Sequence, residues 1–253
     1  MAGRNLESFV SRSTTPLIYL VLLFAWEAGV RLFKVPGWML PAPSAIVATA
    51  REWAPDLLHH SVITLEETVV GFVLALVVSV PLAVGIAFTQ ALRRLLYPVL
   101  LGLQSVPKVA LAPLVILWLG IGSLPKIIIV ILVCFFPILV NVVAGFEAVP
   151  KAMLDLMHSM RASEWSTFRR LRVPIALPYL FTGCKIAITF AVIGAVISEF
   201  VAAQDGLGYL ILISTAQSQT PLAFAAIILL TLISVVLFYA VEFIERRSVT
   251  WAP

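Results

Sequence analysis

Residues 147–173 read EAVPKAMLDLMHSMRASEWSTFRRLRV and connect two long apolar segments, 125–146 and 175–202. The connection is too charged to enter a lipid bilayer. Apolar residues nevertheless recur at helical spacing in both of its halves: Met153, Leu156, Met157 and Met160, then Trp165, Phe168 and Leu171. The pattern therefore predicts a helical loop outside the membrane, held between two spanning segments.

Capping residues divide this loop into two short helices. Pro150 suits the first turn of one helix, and Ser163 is a good N-cap for the next, which places a bend near Arg161 to Ser163. The Met-rich apolar face of such a helix pair has two interpretations. It either docks another protein or packs on the protein's own helix ends, and the sequence alone leaves both open.

Apolar residues also dominate the rest of the chain. Of its 253 residues, 61% are hydrophobic and 12% are charged, against about 45–50% and about 25% in soluble domains. A soluble domain, a disordered chain, a collagen-like fibre and a disulfide scaffold are therefore excluded. A spanning helix needs about 20 apolar residues, so we predict an all-α polytopic membrane protein with six transmembrane helices. The six segments are 15–33, 62–88, 95–120, 125–146, 175–202 and 221–243.

The third segment is irregular. Gln104, Ser105, Pro107 and Lys108 interrupt it, so its second half, 110–120, is predicted to be re-entrant. A polar group in hydrocarbon needs a partner. We therefore expect Gln104 and Ser105 to face the axis of a dimer and to line a pathway.

Two other stretches are predicted to lie on the outer side of the membrane. Residues 34–61 contain an amphipathic run, Ser44 to Leu58, that indicates an interfacial helix. Residues 203–220 contain the turn Gly206-Leu207-Gly208, followed by an apolar stretch, Tyr209 to Ile213, that is too short to span.

Lys and Arg residues predict the orientation. With the N-terminus inside, eleven of them fall on the inner side and five on the outer side. Positive charge concentrates on the cytoplasmic side of membrane proteins, so both termini are predicted to be cytoplasmic. The predicted division is a cytoplasmic segment 1–14, a transmembrane domain 15–245 that includes the loop 147–173, and a cytoplasmic tail 246–253.

Residue patterns for several other functions are missing. No run of basic residues interleaves with aromatic residues, as nucleic-acid binding requires. Cys134 and Cys184 lack the spacing of a metal or redox site, and no metal site is predicted. No GxxxxGK[ST] occurs, so the chain is not expected to hold ATP phosphates itself.

Two other classes of membrane protein remain as alternatives. Glu66-Glu67 is similar to the paired glutamates of intramembrane proteases with an EExxxR motif, but Gly71 stands where the arginine is required. No segment carries a Ser and His pair for a membrane serine protease, so no catalytic residue is predicted. A channel or secondary transporter stays open, because such proteins also build binding sites from broken helices.

The loop 147–173 has the spacing of the EAA loop of ABC-importer permeases, which is written EAA, three residues, Gly, nine residues, I-x-LP. The matching positions are Asp155-Leu156-Met157, Arg161, and Leu171-x-Val173-Pro174. The spacing agrees, whereas Asp replaces Glu, Leu-Met replaces Ala-Ala and Arg161 replaces the glycine. Glycine there reaches a positive φ without steric cost, so an Arg either adopts that conformation at a cost or makes a different turn.

Other stretches strengthen the resemblance, which covers roughly residues 40–245. They are Ala162-Ser163, Pro174-Ile-Ala-Leu-Pro178-Tyr-Leu-Phe-Thr-Gly183-Cys-Lys185, Glu199, Gly206-Leu207-Gly208-Tyr209, Ala110-Leu-Ala-Pro113 and Phe135-Phe136-Pro137. The sequence is most similar to permeases for nitrate, sulfonates, taurine and thiamine-precursor pyrimidines. Within that group it resembles the pyrimidine-precursor or riboflavin permeases most.

The resemblance implies a type I ABC-importer permease fold in a bacterial inner membrane. Two permease subunits would form the pathway, two cytoplasmic ATPases would hold ATP and Mg, and an external binding protein would deliver a small organic nutrient. The chain itself would need no cofactor and would not be an enzyme. The residues implied in coupling to the ATPase are Asp155, Leu156, Met157, Arg161, Ala162, Ser163 and Pro174.

Polar residues on the fifth segment complete the predicted pathway. Lys185 either faces the pathway or extends toward the inner surface. Glu199 is predicted as a gate or subunit-interface residue, or as a plain helix-end charge. Small residues recur on the same segment at about helical spacing and predict close helix approach across a homodimer, or packing within one subunit. They are Gly183, Ala187, Ala191, Gly194 and Ala195.

Overall fold

The computed structural model of the chain describes residues 18–89, 94–95, 98–99, 102, 105–202 and 204–251. These residues form helices and no strand, so the all-α prediction is confirmed. In chain order the helices are α1 (18–32), α2 (Pro43–Glu52), α3 (Ala54–Phe88), α4 (Lys108–Leu119), α5 (Ser123–Glu147), α6 (Lys151–Ser159), α7 (Glu164–Thr167), α8 (Val173–Ala202), α9 (Leu207–Ala216) and α10 (Thr220–Ser248).

Four helical stretches among the described residues are long and apolar enough to cross a membrane. They are α3, α5, the continuous run Glu164–Val201 and α10. The first predicted segment is represented by α1. The third is represented by α4, whose 12 residues are too few to span. The predicted break before α4 is present, since Ser105 to Pro107 are not helical.

The prediction of an interfacial helix from Ser44 to Leu58 was wrong in its extent. Helix α2 ends at Glu52, and Trp53 separates it from α3. Residues 54–58 belong to α3, which begins eight residues before the predicted second segment. The first residues of α3 are partly polar, so a search for apolar stretches does not include them in the helix.

The prediction of a separate second short helix in the loop was also wrong. Residues Glu164–Thr167 continue through a π-helical turn, Phe168–Arg172, directly into α8. The whole run Glu164–Val201 is 38 residues long, which corresponds to about 57 Å at 1.5 Å per residue. Only the first half of the loop therefore forms an independent short helix.

Contacts divide the chain into two units, Met1–Leu58 with Leu210–Ile228 and His59–Tyr209 with Leu229–Pro253. In the first unit, Arg31 pairs with Glu27 at 2.5 Å, as four-residue spacing on a helix allows. Both oxygens of Glu27 also accept hydrogen bonds from Ser44, at 2.7 Å from its hydroxyl and 3.0 Å from its backbone N–H. These contacts join α1 to the first turn of α2.

The core of the second unit is formed mainly by α5 against α8. Ala187, Ala191 and Ala195 are fully buried, and the Cys134 thiol donates to the carbonyl of Ala187 at 3.2 Å. A Cβ at Gly183 would collide with Asn141 of α5. The small-residue face of α8 therefore packs within one subunit, and its expected role in contact between two subunits is wrong.

In this second unit we name two ends. The turn end carries Gly206 to Gly208, together with the start of α3 and α5 and the end of α8. The loop end carries residues 148–163, together with the end of α3 and α5 and the start of α8.

Candidate coupling and pathway site

Helix α6, at the loop end, exposes its apolar face. None of its residues is buried. Leu156 is 59% exposed, and Met160, which follows the helix, is 71% exposed. An exposed cluster of large apolar side chains is typical of a surface that contacts a partner. Asp155 is also exposed, and its carbonyl accepts the hydroxyl hydrogen bond of Ser159 at 2.8 Å.

The second half of the loop instead packs on the subunit's own helix ends through Phe168. The ring of Phe168 lies 5.3 Å from the Phe88 ring at the end of α3 and 5.9 Å from the Phe146 ring at the end of α5. Trp165 stacks on Phe168 at 5.5 Å, and the Arg172 guanidinium lies 4.7 Å from the Phe88 ring centre. The second half of the loop therefore packs on the protein's own helix ends, whereas the apolar face of α6 stays exposed.

The bend between the two halves is formed by Arg161 to Ser163, as predicted. Arg161 has a φ of 54°, so it adopts the left-handed conformation that glycine reaches without cost. The N–H of Ala162 donates to the carbonyl of Met157 at 3.0 Å, and the hydroxyl of Ser163 accepts from the N–H of Ser166 at 3.2 Å. The arginine therefore adopts the left-handed conformation at a steric cost and does not make a different turn.

The structure brings six of the seven predicted coupling residues together around this bend. They are Asp155, Leu156, Met157, Arg161, Ala162 and Ser163. Pro174 lies apart from them, in the first turn of α8, where its carbonyl accepts a hydrogen bond from Trp251 at 3.2 Å.

The turn end contains a buried polar network centred on Glu199. This side chain is 1% exposed, and its carboxylate accepts hydrogen bonds from the Thr64 hydroxyl at 2.7 Å and from the Gly208 N–H at 2.6 Å. The Thr64 hydroxyl oxygen in turn accepts the N–H of Leu207 at 2.9 Å. Nδ1 of His60 accepts the N–H of Gly206 at 3.0 Å. Together these contacts hold the turn against α3 and α8.

The glycines of this turn are required by the carboxylate. Gly206 has a φ of 115°, which side chains rarely adopt, and a Cβ there would overlap the Glu199 carboxylate. A Cβ at Gly208 would lie 2.8 Å from an oxygen of Glu199. Nearby, Lys126 forms a buried ion pair with Glu67 at 2.5 Å. Glu199 therefore lies buried inside the subunit.

The other predicted pathway residues lie in different places. Gln104 lies outside the described residues, whereas Ser105 is exposed and its N–H donates to Gly102 at 3.1 Å. Lys185 forms an ion pair with Glu245 of α10 at 2.7 Å. The exposed face of α8 near Lys185 carries hydroxyl and apolar side chains, namely Thr182, Ile186, Thr189, Phe190 and Ile193.

Sequence reasoning missed most partners in these contacts. His60, Thr64 and Glu67 recur at helical spacing in the first part of α3, which could have predicted one polar face. Its partners, Glu199 and Lys126, lie far along the chain, and no local pattern reveals them. The contacts of Phe168 with Phe88 and Phe146 likewise join distant parts of the chain and could not be predicted from the sequence.

A family model described as "Binding-protein-dependent transport system inner membrane component" matches residues 68–249. The chain belongs to this family. Membership confirms the resemblance and identifies the chain as a permease subunit of an ABC importer, embedded in a membrane. The family implies an ATPase and a substrate-binding protein as partners. The alternatives of an intramembrane enzyme and of a secondary transporter or channel were therefore wrong.

Individual relatives agree with this assignment. The permease is 37% identical to the riboflavin transport system permease protein RibX of Chloroflexus aurantiacus, over 93% of this chain and 89% of that protein. It is 33% identical to the formylaminopyrimidine transport permease protein ThiX of Halalkalibacterium halodurans, over 93% of this chain and 94% of that protein.

A solved structure shows the same fold. A chain of the MetNI methionine ABC transporter in an inward-facing conformation matches with a TM-score of 0.67 at 20% identity, covering 78% of this permease and 97% of that chain. The fold is therefore that of a type I ABC-importer permease, as the sequence predicted.

Proposed function

We propose that this permease forms the translocation pathway for a neutral heterocyclic nutrient, either riboflavin or a pyrimidine precursor of thiamine. The observation that carries the substrate class is the exposed face of α8. From Ile186 to Phe200 its exposed residues carry no charge. A pathway for an anion such as nitrate or a sulfonate would require basic groups there.

The relatives support the same choice. Identity is 37% to the riboflavin permease and 33% to the formylaminopyrimidine permease, against 27% to the aliphatic sulfonate permease SsuC of Bacillus subtilis. Sulfonate, taurine and nitrate are therefore the competing cargoes in the test below.

Coupling uses the loop end. The ATPase docks on the apolar face of α6 around Leu156 and carries the ATP and Mg, while this chain binds neither. Force reaches the membrane through Glu164–Val201, because that run is one continuous helix anchored to α3 and α5 by Phe168. Closure of the ATPases moves these helices together and changes the pathway from inward-open to outward-open.

The proposed orientation places the loop end and both chain termini in the cytoplasm, with residues 1–14 and 246–253 as cytoplasmic segments. The turn end then faces the binding protein. Asp205→Cys should react with a membrane-impermeant thiol reagent added to intact cells, whereas Glu164→Cys should not. Cys134 and Cys184 are buried and leave the background low. Labelling of Glu164→Cys from outside would reverse the orientation.

Two copies of the permease form the proposed pathway, with the exposed face of α8 toward the two-fold axis. Phe190→Cys, on this face, should give cross-linked dimers in the membrane, whereas Ala191→Cys, which is buried, should not. Cross-linking only to a different permease protein would replace the homodimer with a heterodimer.

Uptake measurements test the substrate class. Cells that cannot make riboflavin are supplied with the permease, its neighbouring ATPase and its binding protein, and take up labelled riboflavin. Excess riboflavin or 4-amino-5-hydroxymethyl-2-methylpyrimidine should compete for the binding protein, and taurine should not. Uptake that only taurine or a sulfonate inhibits would exclude the heterocyclic class.

A further inference from the structure

A cavity of about 640 Å³ lies at the loop end of the second unit, between α8 and the end of α10. Its α8 wall is formed by Thr182 and Lys185, and its α10 wall by Glu245 and Arg246. A volume of this size is within the range of small-molecule sites, about 300–1,000 Å³. Thr182 belongs to the exposed face of α8 that the proposed function assigns to the pathway.

The charges that border this cavity balance one another. Lys185 pairs with Glu245 at 2.7 Å, and Arg246 pairs with Glu242 at 2.7 Å. Each of the two cations that line the cavity is therefore paired with a carboxylate, Lys185 with Glu245 of the lining and Arg246 with Glu242 outside it. A cavity without unpaired positive charge is unsuited to a sulfonate or nitrate ion, which requires a cation of its own.

The ion pair retains unused hydrogen-bonding capacity. The Lys185 ammonium has three N–H donors and the Glu245 carboxylate has two acceptor oxygens. Their mutual contact uses one donor and one oxygen. The Thr182 hydroxyl, which donates to the carbonyl of Pro178 at 3.0 Å, keeps its acceptor lone pairs. The cavity therefore presents a donor beside an acceptor, roughly 3 Å apart.

Stability alone does not explain this ion pair. Lys185 and Glu245 are only 26% and 18% exposed, so both charges have lost much of their hydration. A partly buried ion pair is often no more stabilising than apolar side chains of the same volume. Here apolar side chains could close the gap between α8 and α10, whereas the pair leaves a cavity open.

We propose that this cavity binds the hydrogen-bonding edge of a neutral heterocycle during transport. In riboflavin the edge is the ring N–H beside a carbonyl, and in an aminopyrimidine it is the amino group beside a ring nitrogen. Each edge places one donor next to one acceptor, which matches Glu245 and Lys185. This inference rests on the proposed function and assigns its substrate class to particular side chains of the permease.

Direct binding provides the test. The purified permease–ATPase complex is placed in lipid nanodiscs without the binding protein, and quenching of riboflavin fluorescence reports binding. The pyrimidine used above and taurine serve as competitors. Glu245→Met and Lys185→Met should each weaken riboflavin binding by about tenfold, since each removes one partner of the edge. Arg247→Met, on α10 but outside this cavity, is the matched control, since it also removes a positive charge near the loop end.

A charge-reversed double variant, Lys185→Glu with Glu245→Lys, separates binding from a structural role. It restores the ion pair between α8 and α10 but exchanges the positions of donor and acceptor. Basal ATPase activity and the melting temperature should return to normal, while riboflavin binding stays weak. Full recovery of binding would show a purely structural ion pair and would overturn the proposal.

The remaining outcomes distinguish this proposal from the proposed function. If cells import riboflavin but all variants bind it as the wild type does, the cavity assignment is wrong and the proposed function stands. If taurine displaces the probe and cells import taurine, the heterocyclic substrate class is wrong as well. Displacement by the pyrimidine and not by taurine, with the variants weakened, supports both.

Discussion

The turn end and the loop end of the second unit differ in which side chains they bury. At the turn end, polar side chains are buried, and Glu199 has two hydrogen-bond donors from two other segments. At the loop end, Leu156 and Met160 are apolar and exposed. Each end thus departs from the usual rule that apolar residues are inside and polar residues outside.

The difference indicates where the subunit is complete and where it needs a partner. A buried carboxylate that accepts hydrogen bonds from its donors fixes one arrangement of the surrounding segments, because any other arrangement would leave a buried polar group without a hydrogen bond. An exposed apolar helix without buried residues gains stability only when another protein covers it. Changes at the turn end should therefore affect stability first, and changes at the loop end should affect coupling first.

The largest effect on transport is expected from Leu156→Asp. A carboxylate on the apolar face of α6 would be buried without a partner in the proposed ATPase interface, which costs several kcal/mol. Uptake should fall by at least about tenfold, since each 1.4 kcal/mol is a factor of ten. The melting temperature of the isolated permease should not change, because Leu156 is exposed.

Lys151→Asp is the matched control, since it places a carboxylate on the opposite face of α6. It should co-purify with the ATPase and transport normally. If Leu156→Asp also co-purifies with the ATPase and supports full uptake, α6 is not the docking helix. The loop end would then not differ from the turn end in its role in coupling.

At the turn end, Glu199→Ala should give the largest loss of stability. The substitution leaves the Gly208 N–H without its acceptor, and the Thr64 hydroxyl keeps only the carbonyl of His60, at 3.1 Å. A buried unsatisfied group costs about 1–3 kcal/mol and the lost Thr64 hydrogen bond adds to this, so the free energy of unfolding should fall by about 3 kcal/mol. Unfolding of the purified permease by SDS measures this. Glu66→Ala, which removes an exposed carboxylate, should have little effect.

Thr64→Val tests whether this network acts as one unit. Thr64 and Glu199 share a hydrogen bond, so the double variant should be less destabilised than the sum of the two single variants. Simple additivity would show that the two residues act independently and that the turn is held by something else.

Phe168→Ala should affect both properties, because Phe168 is the contact between the loop and the helix core. The ring is half-buried against Phe88 and Phe146. Its loss should lower the free energy of unfolding by about 2 kcal/mol, less than the 3–5 kcal/mol of a fully buried phenylalanine. Substrate transported per ATP hydrolysed should also fall. Phe168→Leu should retain most of the stability. An unchanged ratio of substrate transported to ATP hydrolysed in Phe168→Ala would show that this contact does not transmit motion from the loop to the helix core.

The fold could be predicted largely because the membrane sets helix length. Apolar segments of about 20 residues identify spanning helices without any knowledge of their partners. The extra residues of α3 before position 62 were missed because that part of the helix is polar. The separate second helix of the loop was predicted wrongly because capping at Ser163 predicts where a helix begins, not that it continues through Phe168–Arg172 into α8.

The site was predicted in part for a similar reason. The bend at Arg161 depends on local spacing, so the sequence was sufficient. The small residues of α8 have the same spacing whether they contact α5 or a second subunit, and only the structure shows that they face α5. The pairs of Glu199 with Thr64 and of Lys185 with Glu245 join distant parts of the chain, which no local pattern specifies.

The smallest effect is expected from Arg161→Gly, which asks whether the loop end needs the arginine or only its bend. Arg161 occupies a left-handed conformation, with φ at 54°. Glycine removes that strain but adds freedom to the unfolded chain, so the free energy of unfolding should change by less than about 1 kcal/mol. If the bend alone presents α6 to the ATPase, uptake should be normal. Arg161→Ala keeps the strain and removes the charge, and so serves as the control. Loss of uptake in both variants, with normal stability, would show instead that the guanidinium itself contacts an acidic group of the ATPase, and the docking surface would then extend from α6 across the bend.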